Sequence, residues 1–268
     1  VDDMKNLPAK LKFCVQILAA LIVIFSGTRI QVVLWPVTAY LQKFSIPITL
    51  VWIVGVTNAV NLIDGLDGLA VGVSSIAAIT MLAVALLTGN MPIAITMAAL
   101  AGACIGFMPY NLNPAKIFMG DTGSTFLGYM LATVSIMGLF KFYAVISFAV
   151  PFLILGLPIF DTANAIIRRL AEGRSPMSPD RGHVHHKLID MGFNQKQAVA
   201  ILYAISATLG LTAVVLTSSG EVKAVVLLAA VLAAILVGAC IIYGAEHWGK
   251  QQNKNSNQAA QEEKNKHE

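Results

Sequence analysis

The sequence predicts an all-α, polytopic membrane protein with about eight transmembrane helices. Hydrophobic residues make up 57% of the 268 residues and charged residues only 12%, about half the charged share of a soluble domain. The mean hydropathy is +0.74, and the apolar residues lie in long unbroken runs. These observations exclude a disordered chain, a coiled coil and most soluble folds, which need polar residues to cover their surfaces.

The predicted helices correspond to apolar runs of about 20 residues, the length that crosses a bilayer. Their uninterrupted character favours helices over barrel strands, in which apolar and polar residues alternate. Arg29 interrupts the first run, and Lys141 separates the fifth run from the sixth, so a tight hairpin is expected there. The predicted spans are 13–34, 45–63, 69–88, 91–110, 124–140, 142–162, 198–217 and 223–243.

These spans form one predicted transmembrane domain, residues 1–244. A polar extension rich in Gln, Asn, Lys and Glu follows over 245–268 and is expected to be disordered. The chain begins with Val1 rather than Met and has no signal-peptide pattern. We therefore expect the domain to lack upstream residues.

The net charge and the cysteines exclude several classes of function. The net charge is +4, but the basic residues lie in separate loops and in the tail, so no continuous face for nucleic acid is expected. The three cysteines are Cys14, Cys104 and Cys240, each alone inside or at the edge of an apolar run. Since no Cys-x-x-Cys occurs, neither a disulfide framework nor a thiolate metal site is predicted.

Basic residues divide unequally between the two sides of the predicted bundle. With the amino terminus on side one, the threading places the loop 163–197 and the tail on that side as well. Of the 18 Lys and Arg residues, side two holds only Arg29, Lys43, Lys141 and Lys223. By the positive-inside rule, side one is predicted to face the cytoplasm.

Four polar clusters lie on side one, at helix ends or in loops. They are Asp2-Asp3; the stretch from Asn58 through Asn61, Asp64 and Asp67 to Leu69; the stretch from Asn111 through Asn113, Lys116 and Asp121 to Ser124; and Arg181 with His183, His185 and His186. Carboxylates at this depth are costly unless they are paired, hydrated or bound to a cation. Hard carboxylate oxygens suit Mg²⁺, and Arg and His suit phosphate oxygens. The clusters therefore predict a phosphoryl-transfer site.

Each cluster also has a structural interpretation, and these alternatives stay open from the sequence. The first pair of aspartates fits a solvated chain end, and the Asp-Gly pairs at 64 and 67 fit ordinary turns. Asp121 or Thr122 fits a helix N-cap. Asp161 fits an ion pair with Arg168 or Arg169. The three histidines at 183, 185 and 186 fit a Zn²⁺ site, although hard carboxylates dominate this face.

In their order and sidedness the four clusters resemble those of the polyprenyl-phosphate N-acetylhexosamine-1-phosphate transferases. The resemblance covers residues 1–200. The run Pro158-Ile-Phe-Asp161-Thr and the His-x-His-His form resemble the bacterial branch that uses UDP-N-acetylglucosamine. Some members carry a third acid after the first pair, where this chain has Asn6. The resemblance implies a family fold with two or three further spans before Asp2.

The resemblance implies transfer of N-acetylglucosamine 1-phosphate from UDP-GlcNAc to undecaprenyl phosphate at the cytoplasmic face of the bacterial plasma membrane. UMP is released, and the product is the first lipid-linked intermediate of teichoic acid or another cell-wall glycopolymer. Mg²⁺ is the expected cofactor, with Mn²⁺ as an alternative. The expected partners are the two substrates and membrane lipid, with no nucleic acid; a homodimer is a further candidate.

Site roles follow from that resemblance and from the chemistry. The metal ligands are Asp121, as the principal one, and Asp64. The catalytic residues are Asp2, Asp3, Asp64, Asp67, His183, His185 and His186. The substrate-binding residues are Asn58, Asn61, Asn113, Lys116 and Arg181.

Within these roles Asp2 and Asp3 orient the lipid phosphate or take its last proton, and a covalent aspartyl-phosphate is the alternative. The histidines and Arg181 neutralise the diphosphate. Other functions that stay open are a UDP-MurNAc-pentapeptide phosphotransferase of peptidoglycan synthesis, a membrane transporter and a non-catalytic scaffold. The acids gather at helix ends rather than in mid-span, which disfavours a transporter.

Overall fold

The computed structural model describes residues 8–30, 42–139, 144–175 and 182–218. Every regular element in these ranges is helical, which confirms the all-α prediction. A short 3₁₀ turn, Gln42–Phe44, precedes the second helix. The helices are α1 (Ala9–Phe25), α2 (Ser45–Leu62), α3 (Leu69–Leu87), α4 (Met91–Asn111), α5 (Gly120–Gly138), α6 (Ala144–Ile154), α7 (Gly156–Ala171), α8 (Val184–Asp190) and α9 (Gln195–Thr217).

Four of the described helices are long and apolar enough to cross a membrane, namely α2, α3, α4 and α9. They coincide with the predicted spans that begin at 45, 69, 91 and 198. The predicted span 223–243 and the tail 245–268 lie outside the described residues, as does the hairpin expected at Lys141. The protein is therefore a multi-pass membrane protein, and the total of about eight spans stays a prediction.

The bundle packs in pairs of neighbouring helices. Helix α3 lies against α4 and α9, and α2 lies against α1, α5 and α7. The contact between α2 and α5 is close because Gly128 presents no side chain; a Cβ there would lie 2.8 Å from Thr57 Cα. Trp52 Nε1 also donates to Ser135 Oγ at 3.0 Å across the same contact. Together these contacts hold α2 against α5, so that the end of α2 lies next to the start of α5.

The first predicted span differs from the observed helix. Helix α1 begins at Ala9 and ends at Phe25, whereas the prediction was 13–34. Ser26 follows as the C-cap, and Gly27 next to it has a φ of 100°, a conformation that favours glycine and stops the helix. The early start adds a turn that contains Lys12, which becomes important at the site.

The sixth predicted span, 142–162, was wrong as a single helix. The structure divides it into α6 and α7 at Leu155, and α7 continues to Ala171 through residues predicted as loop. The break has a local cause, because Pro158 has no N–H to donate to the carbonyl of Ile154, four residues earlier. Pro158 lies instead in the first turn of α7, where that N–H is not needed.

Candidate active site

Three connecting segments meet at one end of the bundle through amide side chains. Asn113 Nδ2 donates to Asp67 Oδ2 at 3.0 Å and to Gln195 Oε1 at 2.8 Å. Asn111 Oδ1 accepts from the backbone N–H of Gly68 at 3.2 Å. These bonds join the connection after α2, the connection after α4 and the first residue of α9. The structure therefore brings the second and third polar clusters into contact.

Asp121 lies in the first turn of α5 and binds two other helices. Lys12 Nζ from α1 donates to Asp121 Oδ2 at 2.6 Å, and Asn61 Nδ2 from α2 donates to Oδ1 at 3.3 Å. Asn61 also donates to Ser124 Oγ at 2.9 Å. Met119 is the N-cap of α5, and no side chain caps it. The alternative in which Asp121 or Thr122 is an N-cap therefore does not hold.

Asp64 is partly buried beside two other carboxylates. Burial, together with the negative charges of Asp121 and Asp67, raises the pKa of Asp64 from 3.8 to about 6. Asp67 and Asp121 are thus close enough to destabilise the charged form of Asp64. A cation at this point would relieve that repulsion.

Asp67 is oriented by the connection after α4. Its Oδ2 accepts from Asn113 Nδ2 and from the backbone N–H of Ala115, at 3.0 and 3.1 Å. The glycine that follows, Gly68, has a φ of 81° and approaches Leu112 so closely that a Cβ would lie 2.8 Å from the leucine side chain. Asp67 and Gly68 therefore join two connections rather than forming an isolated turn.

The histidine cluster is largely buried. His183 and His185 are 4% and 2% exposed, and their rings stack with centroids 5.7 Å apart and an interplanar angle of 7°. The His186 ring lies 4.2 Å from that of His185. Asp161 of α7 binds His183 Nδ1 at 2.9 Å and accepts from the Val184 N–H at 2.8 Å. The expectation that Asp161 pairs with Arg168 or Arg169 was therefore wrong, because its side chain points from α7 to α8.

His185 joins the histidine cluster to the acidic cluster, which consists of Asp64, Asp67 and Asp121. Its Nε2 lies against the backbone of Gly65, where any Cβ would overlap the ring. Burial, together with the neighbouring His186, lowers the pKa of His185 from 6.5 to about 4. His185 is therefore uncharged at neutral pH, which differs from the expectation that it helps to neutralise a diphosphate.

The remaining predicted residues lie as follows. Asn58 Nδ2 donates to Gln16 Oε1 of α1 at 2.6 Å and to its own helix at Val54 O. The Lys116 side chain is exposed, and its backbone N–H donates to Tyr110 O at 2.8 Å. Three predicted site residues, Asp2, Asp3 and Arg181, lie outside the described residues.

Comparison with known proteins identifies the family. The family model described as glycosyl transferase family 4 matches residues 1–139. The chain belongs to this family. The match includes α1 to α5 and hence Asp64, Asp67 and Asp121 of the described site.

Curated relatives of this family 4 member carry informative names. The probable undecaprenyl-phosphate N-acetylglucosaminyl 1-phosphate transferase of Bacillus subtilis (strain 168) is 41% identical over 224 residues, which is 82% of this chain and 62% of the relative. The decaprenyl-phosphate N-acetylglucosaminephosphotransferase of Mycobacterium tuberculosis (strain ATCC 25618 / H37Rv) is 40% identical over 76% of this chain and 56% of its own length. The phospho-N-acetylmuramoyl-pentapeptide-transferase of Clostridium beijerinckii is 37% identical over 61% of this chain and 48% of its own length. The chain thus spans about three fifths of the first two relatives.

Several side chains that contact the candidate site of this family 4 member were missed in the sequence. Lys12 and Gln16 come from α1, where the polar residues form no recognisable motif. Gln195 and Tyr203 come from α9. The Tyr203 hydroxyl donates to the carbonyl of Gly68. A weak signal existed for Lys12, because it is a cation directly before a predicted span, on the same side as the polar clusters. Tyr203 gave no signal, since an aromatic residue in an apolar helix is usually core.

The donor set of this family 4 site suits a hard cation. Among the described residues no three His, Cys, Asp or Glu side chains gather as a metal-binding group. Mg²⁺ does not require one, because it commonly takes one or two carboxylates and completes its shell with water and substrate phosphates. Asp64 and Asp121, whose charges repel each other, fit that requirement. A Zn²⁺ site at the histidines fits less well, since Zn²⁺ takes three or four protein ligands and the described residues provide no such group.

Proposed function

We propose that this protein transfers N-acetylglucosamine 1-phosphate from UDP-GlcNAc to undecaprenyl phosphate and releases UMP. The observation that carries the proposal is the meeting of Asp64, Asp67 and Asp121 at one end of a membrane bundle, beside the buried histidine cluster. Two relatives named for N-acetylglucosamine transfer support the sugar, because they are 41% and 40% identical to this chain, whereas two pentapeptide transferases are 37% and 32% identical.

The reaction joins two phosphates at the membrane surface. An oxygen of the lipid phosphate attacks the β-phosphorus of UDP-GlcNAc and forms a new P–O bond. The bond from that phosphorus to the bridging oxygen breaks, and UMP leaves with the oxygen and the electron pair. Because a phosphate monoester is largely dianionic at pH 7, the acceptor supplies its own nucleophile. Asp2 and Asp3 orient this phosphate or take its last proton.

The acidic cluster would reduce the electrostatic repulsion between the two phosphate substrates by binding a cation. Asp121 and Asp64 would hold Mg²⁺, with Mn²⁺ as an alternative, and the bound ion would supply positive charge to the diphosphate and to the departing UMP. Asn61 keeps Asp121 oriented through its side-chain amide. Lys12 adds a fixed positive charge on the other carboxylate oxygen.

The other polar residues of this end bind the nucleotide-sugar. The exposed Lys116 offers an ammonium donor to phosphate oxygens. The NH₂ groups of Asn58 and Asn113 already donate within the protein, so these residues offer their side-chain oxygens to sugar hydroxyls. Arg181 and His186 offer donors to the diphosphate. His183, whose Nδ1 is bound to Asp161, presents its Nε2 to the substrate, and His185 acts indirectly by packing between the two clusters. Asp67 keeps the connection after α2 in place for these contacts.

An apolar groove beside the site suits the lipid acceptor. It has a volume of about 570 Å³, is open to the surface, and lies between α2, α6 and α7. Its walls include Val51, Trp52, Phe152 and Ile166, and it extends to Ala59, the neighbour of Asn58. A prenyl chain in this groove would place its phosphate at the end of the bundle that carries the acids.

The experiment uses membranes that contain the overexpressed protein, with undecaprenyl phosphate, Mg²⁺ and UDP-GlcNAc labelled with ¹⁴C in the sugar and ³²P in the β-phosphate. We expect both labels in the lipid fraction and unlabelled UMP in solution. Transfer of ¹⁴C without ³²P would contradict phosphosugar transfer. Labelled lipid formed only from UDP-MurNAc-pentapeptide would assign the peptidoglycan branch, and uptake of label without any lipid product would assign a transporter.

The cellular setting extends this proposal. The site faces the cytoplasm of a bacterium, because the basic residues concentrate on that side. The lipid product would be consumed by glycosyl transfer onto its sugar, as the first intermediate of teichoic acid or another cell-wall glycopolymer.

A further inference from the structure

Asp161 is a buried carboxylate that the proposed reaction does not use. It is 4% exposed and lies on the buried stripe of α7 that also contains Leu157, Ala165 and Arg169, at intervals of four residues. A carboxylate in such a stripe is costly unless its oxygens are bound. The bonds that it makes therefore indicate what it is for.

Each oxygen of Asp161 has its own partner in the segment that begins α8. Oδ2 is 2.9 Å from His183 Nδ1, and Oδ1 accepts from the Val184 N–H at 2.8 Å. A carboxylate only accepts hydrogen bonds, so Nδ1 of His183 carries the hydrogen and Nε2 is the atom left for other contacts. The Val184 N–H belongs to the first turn of α8, where no acceptor exists within the helix. Asp161 thus orients an imidazole and caps a helix at the same time.

The oriented segment reaches the acidic cluster through stacked rings. His183 stacks on His185, and His185 contacts Gly65, the residue after Asp64. His186 follows on the same short helix with its ring against His185. A movement of α8 would therefore move all three imidazoles relative to Asp64.

We propose that Asp161 is a positioning residue, which holds His183 in the Nδ1–H tautomer, so that Nε2 is an acceptor for a sugar hydroxyl or a water beside the diphosphate, and which seats α8 so that His186 faces the diphosphate itself. This inference rests on the proposed function for its kinetic consequence, whereas the tautomer is a property of the protein alone. Leu157 and Ala165 of the same stripe are apolar, whereas Asp161 makes the two bonds described above.

The substitution Asp161→Asn separates the capping of the Val184 N–H from the orientation of the His183 ring. The Asn oxygen can still accept from Val184, but its NH₂ group donates to His183 Nδ1 and so drives the hydrogen of His183 to Nε2. We expect kcat to fall by about 10- to 100-fold, the usual cost of losing a group that orients a functional histidine, while the KM for UDP-GlcNAc stays unchanged. Asp190→Asn removes an exposed carboxylate from the end of the same helix and should leave both constants unchanged.

The tautomer is read by ¹⁵N NMR of histidine-labelled protein in lipid bilayers, with the His183 signals assigned by their loss in His183→Gln. We expect Nδ1–H in the unaltered protein and Nε2–H in Asp161→Asn. An Nε2–H tautomer in the unaltered protein would overturn the proposal even if the Asn variant does not fold. Absence of all transferase activity alongside the expected tautomers would reject the proposed function and leave the positioning of His183 standing.

A double-mutant cycle tests whether Asp161 acts through His183. In the His183→Gln background, Asp161→Asn should lower kcat by no more than about 2-fold, because the residue it positions is gone. A full additional loss in that background would show that Asp161 acts elsewhere and would overturn the proposal.

Discussion

Asp121 is bound by residues from two other helices, and each bond limits where a cation could sit. Lys12 donates to one carboxylate oxygen of Asp121 and Asn61 donates to the other. The negative charge of Asp121 also raises the pKa of Asp64. Lys12 and Asp121 are both partly exposed, so solvent screens this ion pair and its contribution to stability is modest. Its role is therefore to orient Asp121 rather than to hold the fold together.

The first prediction concerns Asp121→Asn. The amide keeps the shape and the bond from Asn61 but loses the charge that would bind Mg²⁺, so turnover should fall by more than about 100-fold with the protein still folded. Phosphosugar transfer to lipid and thermal unfolding in detergent measure the two effects. EDTA should have the same effect, reversed by Mg²⁺ and not specifically by Zn²⁺. Glu172→Gln, at the end of α7, is the control, and a few per cent of residual activity in Asp121→Asn would make the metal assignment wrong.

The second prediction concerns the pH dependence of stability at His185. Its pKa is lowered from 6.5 to about 4 in the folded protein, so the native state favours the neutral ring. The stabilisation is complete above pH 6.5 and is lost as the pH falls through about 4. The free energy of unfolding, relative to that of His185→Gln, should therefore decrease by about 3 kcal/mol across this interval. Thermal unfolding of both proteins at several pH values measures it, and a constant difference between them would contradict the prediction.

At the scale of elements, α9 holds the connection after α2 in place. Tyr203 packs its ring onto Gly72 of α3 so closely that a Cβ there would overlap the ring, and its hydroxyl binds the carbonyl of Gly68. Gln195 at the start of the same helix binds Asn113. The orientation of Asp67 thus depends on the packing of α9 against α3.

The third prediction is that Gly72→Ala displaces Tyr203 and destabilises the protein by about 1–3 kcal/mol, with lower transferase activity. Gly102→Ala is the matched control, because no atom lies within 4 Å of the added Cβ and the helix there is otherwise similar. In the double variant Gly72→Ala/Tyr203→Ala, most of the destabilisation caused by Gly72→Ala should be absent, because the tyrosine ring that clashes is gone. Thermal unfolding of the four variants measures this, and equal effects of the two glycine substitutions would refute the contact.

At the scale of the whole molecule, all described polar connections of the site lie at one end of the bundle. The turn between α3 and α4 lies at the other end, where Gly89 has a φ of 71°. Exposed apolar side chains such as Val51, Ile95 and Leu211 suit a lipid environment for the helices between these ends.

The fourth prediction is that residues 163–197 and the tail after 245 face the cytoplasm, because basic residues are retained on that side. In a protein without its own cysteines, Asp180→Cys should react with a membrane-impermeant thiol reagent only after the cells are opened. Asn90→Cys is the control on the opposite side and should react in intact cells. Labelling of Asp180→Cys from outside would invert the topology and reject a cytoplasmic site.

Much of this protein could be predicted from one-dimensional patterns. Apolar runs of membrane length predict α2, α3, α4 and α9, since a helix must satisfy its own backbone groups in lipid. The order of spans then places Asp64, Asp67 and Asp121 on one side. The break before α7 also has a local cause in Pro158, although the prediction of a single helix ignored it.

Only the tertiary structure decided which side chains bind one another. The bond from Lys12 to Asp121 joins residues 109 apart in sequence, and the one from Asn113 to Gln195 joins residues 82 apart. Such pairs depend on how the helices rotate and pack, which composition and periodicity do not specify. Asp161 shows the difference: its sequence neighbours suggested an arginine partner, and the packing of α7 against α8 placed His183 there instead. Helix formation is a property of each segment in its solvent, whereas the site is a property of the contacts between segments.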